Sequence, residues 1–134
     1  MAAISSWDKA LLLIGSALEK KACDLVVMEV RELSSIADYF IICSGRSDRQ
    51  VQSIAQGIEE NLHRAGESPL SIEGMSRGHW VLMDFTDVVV HVFYQPVREF
   101  YDLDGLWGHA PRVALPEPYS TLVDQFQTGT GPTG

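Results

Sequence analysis

The sequence predicts an α/β domain, a mixed β-sheet flanked by helices, and three observations lead there. Apolar residues recur at helical spacing in two long stretches, one near the N-terminus and one near the middle of the chain. Between and after them lie short runs rich in Val, Ile and Phe, of strand length and strand composition. Their order, α-β-β-α-β-β-β-α with one of the strands weak, excludes all-α and all-β architectures and leaves a sheet with helices packed on it. A chain of 134 residues, 46% hydrophobic and 21% charged, suits a single shared core.

Each element has its own signal. Ser5 ahead of Trp7 and Asp8 marks a helix start, and Trp7, Leu11, Ile14 and Leu18 then share one face of a helix running to about Lys21. Residues 25–30 (LVVMEV) are apolar on both faces, with Glu29 the exception, as in a strand covered from both sides. After a polar break at 31–35, residues 38–43 (DYFIIC) form a second buried strand that ends at Ser44 and Gly45. Ser47 and Gln50 have the spacing of a capping box, and Val51, Ile54, Ala55, Ile58 and Leu62 continue as one apolar stripe up to the stop at Gly66. A weak strand follows at 70–73. Residues 79–85 (HWVLMDF) and 88–93 (VVVHVF) flank Thr86 and Asp87 as an antiparallel hairpin, although Thr-Asp is not a favoured turn pair. Pro96 opens a last helix, aromatic-rich through Phe100, Tyr101 and Trp107, ending near Gly108. The domain is placed at residues 1–114. Beyond it the composition turns to Pro, Gly, Thr and Ser, so residues 115–134 are expected to form a flexible tail apart from a short helical run at 122–126.

Composition narrows the functional classes. A net charge of −8 and a pI near 4.8 oppose direct binding of nucleic acid over a large surface, because that affinity comes from Lys and Arg displacing counterions. Docking on a basic protein suits the same charge. No basic cluster precedes an apolar block in the first ten residues, and no apolar run approaches the roughly 18 residues a membrane span needs, so a soluble cytoplasmic protein without membrane attachment is expected. Cys23 and Cys43 fit neither a disulfide framework nor a metal pair and read as buried thiols.

Three constellations bear on chemistry. Gly45-Arg46-Ser47, between a strand and a helix N-terminus, offers backbone N–H groups to a phosphate, but the tight turn and the helix cap already account for both Gly45 and Ser47. Nucleotidyltransferases use a similar turn together with paired carboxylates on a strand, and no such pair exists here. Gly57, Glu59 and Glu60 fall in a helix and Asp84 and Asp87 straddle a turn, so this would be a nucleotidyltransferase-like fold without the active site. His63, His79, His91 and His109 lack metal-ligand spacing, Ser44 and Cys43 have no local base, and neither enzyme activity nor a cofactor or metal is expected; His91 reads as a hydrogen-bonded core or interface histidine. The strand at 80–85 is more informative. Alternation sends Val81, Met83 and Phe85 into the core and Trp80, Leu82 and Asp84 to the other face, which either lies beneath a helix or docks a partner.

Three blocks, ADYFIICSGRSDRQVQSIA (37–55), HWVLMDFTDVVVHVF (79–93) and REFYDLDGLWGHA (98–110), resemble the ribosomal silencing factor, or Iojap, family, and together span most of residues 18–113. The resemblance implies a non-enzymatic, homodimeric α/β protein that binds ribosomal protein number fourteen of the large ribosomal subunit, blocks an intersubunit bridge and represses translation. It favours the docking role for Trp80, Leu82 and Asp84, with Arg77, Tyr94 and Arg98 around them. Thr86 stands where the family more often has glycine, and Asp104 where it often has glutamate. A nucleotide-binding or nucleotidyl-transferring enzyme and a dimeric scaffold with another partner are the alternatives.

Overall fold

The computed structural model describes residues 4–128. Helix α1 (Ser6–Glu19) begins where Ser5 Oγ accepts the Asp8 N–H at 3.0 Å, and buries Ala10, Leu13, Ile14, Ala17 and Leu18. Its buried face is therefore rotated from the predicted stripe, with Trp7 and Leu11 only partly covered. Strands β1 (Cys23–Glu29) and β2 (Tyr39–Gly45) follow, then helix α2 (Asp48–Arg64), the three-residue β3 (Ser71–Glu73), β4 (Trp80–Asp84) and β5 (Val88–Tyr94). The five strands form one mixed sheet in the order β1-β2-β5-β4-β3. Among them the β2–β5 pair is parallel and the others are antiparallel.

Both central strands are buried on both sides, as their unbroken apolar runs require. On one face, α1 and α2 pack over Ile41, Cys43, Val81, Met83, Val90 and Val92. On the other, Phe40, Ile42, Val89 and Phe93 form a second, smaller core with Leu103 and Ala110. Lys9 of α1 anchors the β4–β5 turn to the helical layer: its Nζ donates to the Phe85 carbonyl at 3.1 Å and to Asp87 Oδ1 at 2.7 Å, and lies 3.4 Å from Glu67. The turn itself is tight, with Phe85 N–H bonded to Val88 O and Asp87 N–H to Phe85 O, and it holds Thr86 at φ +80°.

Two expectations meet a different geometry. The last helix, expected from Pro96 to about Gly108, is broken at Asp102 into α3 (Gln95–Tyr101) and α4 (Leu103–Leu106). Asp102 takes a left-handed conformation, φ 49°, and its carboxylate accepts the Gly105 N–H, capping the second helix while ending the first. Within the segment expected to be a tail, α5 (Tyr119–Gln125) lies against α1 and β1, with Leu115, Leu122, Val123 and Phe126 packed on the main core. That helix begins three residues before the expected one. Upstream of it the chain runs beside β1, where Glu29 N–H bonds Pro111 O and Val113 N–H bonds Val27 O, both at 2.9 Å. Asp24, at φ 50° in the β1 irregularity, fastens the end of this segment: its N–H donates to Phe126 O, and its carboxylate accepts the Thr128 N–H and hydroxyl at 2.9 and 2.7 Å. The part of the tail expectation that falls on residues 129–134 lies outside the described residues. No helix among the described residues is long and apolar enough to cross a membrane.

Candidate functional site

β4 alternates as its sequence requires. Val81 and Met83 are fully buried, whereas Trp80, Leu82 and Asp84 are half-buried on the opposite face, beside Phe93, His91 and Val89 of β5. The position of Trp80 is set from three sides. Gly74, at φ +87°, brings the β3–β4 turn so close that a Cβ there would lie 2.1 Å from the Trp80 carbonyl oxygen, a contact only glycine permits. The indole stacks on Phe93 with centroids 4.8 Å apart, and its Nε1–H donates to His91 Nδ1 at 3.2 Å. Tyr101 of α3 meets its outer side at 5.1 Å.

Helix α3 turns the usual order of burial around. Val97, Phe100 and Tyr101 have the i, i+3, i+4 spacing of a core stripe, yet Phe100 is 81% and Tyr101 56% exposed, and Leu106 of α4 is 73% exposed. The arginine of the same helix is the buried residue. Arg98 donates to Asp104 through Nε and Nη2 at 3.1 and 2.8 Å, and through Nη1 to Ser44 Oγ and Asp24 O, both at 2.8 Å. Burial alone would raise the Asp104 carboxyl, but the Arg98 guanidinium outweighs it and holds the group below its ordinary range. Arg98, expected on the rim of the proposed docking face, is thus buried as the clamp fixing α3 and α4 to the sheet, with four of its five N–H donors already engaged.

The remaining expected residues divide. Arg77 is exposed and lines a cleft of about 250 Å³ with Gly74, His79, Trp80, Val97 and Tyr101. Tyr94 follows Phe93, so alternation turns it to the opposite side, where it packs on the main core and near His79. Asp84 remains on the face, with Oδ1 accepting the Thr86 N–H at 2.8 Å. Tyr101 and, beyond it, Phe100 extend the face; in the sequence they mark an aromatic-rich helix and carry no signal of which side is exposed. Glu73, paired with Leu82, stands exposed beside the face, and Glu99 and Asp102 of the following helices are also exposed.

The phosphate-like turn is closed. Ser47 Oγ accepts the Gln50 N–H at 3.0 Å and Gln50 Oε1 accepts the Arg46 N–H, one residue before the N-cap, at 2.7 Å, so the capping residues already use these two donors. Gly45 is there for packing, since a Cβ would lie 2.9 Å from Val51. A cleft of about 440 Å³ lies away from the docking face and is lined by Gln56, Glu59, Glu60, His63 and Glu67 with Ser68 and Pro69. Among the described residues no group of three or more His, Cys, Asp and Glu side chains could hold a metal ion.

A five-stranded mixed sheet flanked by helices, with half-exposed aromatic residues on one face, defines a protein of the α/β class. The profile of the family described as "Ribosomal silencing factor during starvation" matches residues 4–131, and the chain belongs to that family of non-enzymatic ribosome regulators. The match includes α5. The chain is 43% identical over 110 residues to the ribosomal silencing factor RsfS of Bacillus subtilis, covering 81% of this chain and 93% of that one. It is 34% identical over 107 residues to the chloroplastic protein Iojap of Zea mays, covering 80% of this chain and 46% of that longer protein. Crystal structures from Bacillus halodurans and Chromobacterium violaceum superpose with TM-scores of 0.74 and 0.77, at 36% and 32% identity, over 81% and 88% of this chain and 99% of each of theirs.

Proposed function

We propose that this protein binds the large ribosomal subunit through its ribosomal protein number fourteen, keeps the small subunit from joining and so represses translation. The observation that carries the reading is the inverted α3, which exposes Phe100 and Tyr101 beside Trp80 while burying Arg98. Exposed aromatic surface of this kind, ringed by acids, suits a desolvated interface with a basic protein. The net charge of −8 favours that partner over bare RNA. Family membership supplies the ribosome as its setting. Trp80, Leu82 and Asp84 form the centre of the proposed interface, Tyr101 and Phe100 extend it, and Arg77 flanks it. The protein acts in the cytoplasm as a homodimer.

Cosedimentation with purified large subunits tests this, with thermal melting of every variant alongside. Trp80→Ala should weaken binding by about 2 kcal/mol, close to thirtyfold. Asp84→Lys should do comparable damage by setting a positive charge against a basic surface. Unchanged binding by both variants would place the site elsewhere, and a loss matched by an equal fall in melting temperature would assign Trp80 to the core.

A further inference from the structure

Beneath the proposed docking face lies a buried polar group, His91, whose hydrogen bond to Trp80 has a consequence for how that face is presented. His91 is 5% exposed, in the middle of β5, opposite Leu82 on β4 and Ile42 on β2. Its ring lies 6.3 Å from Phe93 at 14° and meets Phe40 edge-on at 5.3 Å. Phe40 in turn meets Trp107 edge-on at 4.9 Å. His91 therefore sits within an aromatic cluster whose outer member is Trp80, 6.1 Å away between centroids.

We infer that His91 is the positioning residue of the docking face, fixing the indole of Trp80 in the orientation that the partner meets. The chemistry is one of donors and acceptors. The indole Nε1–H can only donate, so the nitrogen facing it at 3.2 Å, His91 Nδ1, carries a lone pair. The imidazole proton therefore resides on Nε2, which is buried and has no hydrogen-bond partner among the described residues. A buried N–H left unmatched is costly, and an apolar residue at this position would avoid that cost. What an apolar residue cannot supply is an acceptor for Trp80. Without it the half-buried indole could turn about its side-chain torsions and take its N–H to water. Phe93 stacks on the indole, and the hydrogen bond chooses which edge of the ring faces inward.

The inference rests on the assignment of Trp80 to the ribosome-binding face, and the test separates the two. His91→Phe keeps an aromatic ring and removes the acceptor; His91→Gln restores one. In a folded His91→Phe protein the indole N–H resonance of Trp80 should shift and lose protection from exchange, and affinity for purified large subunits should fall about fivefold, the worth of one hydrogen bond. His91→Gln should recover part of both. An unmoved resonance overturns the inference, and so does a moved resonance with full affinity. In the latter case Trp80→Ala decides what else has failed: full binding by that variant removes the docking assignment as well, and weak binding leaves it standing. Should His91→Phe not fold, nitrogen NMR of the unaltered protein decides the matter independently, since the Nε2-protonated tautomer is required and the Nδ1-protonated one excludes the contact.

Discussion

Thr86 is a β-branched residue at φ +80°, where side-chain sterics cost roughly 1–2 kcal/mol and glycine alone is at ease. Thr86→Gly should stabilise the protein by about 1 kcal/mol, read as a rise in melting temperature, since relief of strain exceeds the added freedom of the unfolded chain. His91 gives a pH signature of its own. Burial pushes its pKa down to about 4 against a slight opposing pull from Asp104, whose charge is itself neutralised by Arg98. The unfolded chain takes up the proton first, so the contribution of neutral His91 is complete above pH 6.5 and erodes as pH falls toward about 4. On the order of 3 kcal/mol is at stake across that window. Melting temperature should fall between pH 6.5 and 5 in the natural protein and fall less in His91→Phe; equal slopes would refute the assignment. That His91 would be a hydrogen-bonded core histidine follows from its apolar neighbours in VVVHVF, but its partner sits on another strand, and register cannot be read from composition.

Among the elements, β4 was the most legible. A period of two separates the core-facing Val81 and Met83 from the outward-facing Trp80, Leu82 and Asp84, and the structure keeps that division. The short helix after Pro96 was the least. Its spacing of Val97, Phe100 and Tyr101 belongs to a core-facing helix, and only the left-handed Asp102 and the inward pull on Arg98 turn those rings outward. Both are tertiary effects: four acceptors drawn from β1, β2 and α4 converge on one guanidinium. Arg98→Met should cost about 3 kcal/mol, because it leaves Asp104 charged and half-buried without its partner. Thermal melting measures this. Arg98→Lys should recover little, as an ammonium cannot reproduce the planar two-point contact with the carboxylate.

At the scale of the molecule, charge and topology carry different information. A net charge of −8 acts at a distance, so the association rate with large subunits should fall as ionic strength rises, while dissociation, governed by the buried aromatic contact, should change little. Stopped-flow measurement across a salt series checks this, and a salt-independent rate would make docking purely apolar. The mixed sheet was legible from element order, but strand order was not. The parallel pairing of β2 with β5 spans the whole α2–β4 segment, and no local signal encodes it. Nor does composition reveal that residues 111–113 lie along β1, since Pro-Arg-Val carries no mark of the backbone hydrogen bonds it makes. That strip has a consequence for assembly. With the outer side of β1 occupied by the protein's own chain, the sheet of the described residues has one lateral side left to offer, along β3. A body with two complementary open sides can polymerise without end, whereas a body with one can be extended once. Any strand-to-strand joining of two copies across β3 therefore consumes the available side of each, and growth stops at the pair.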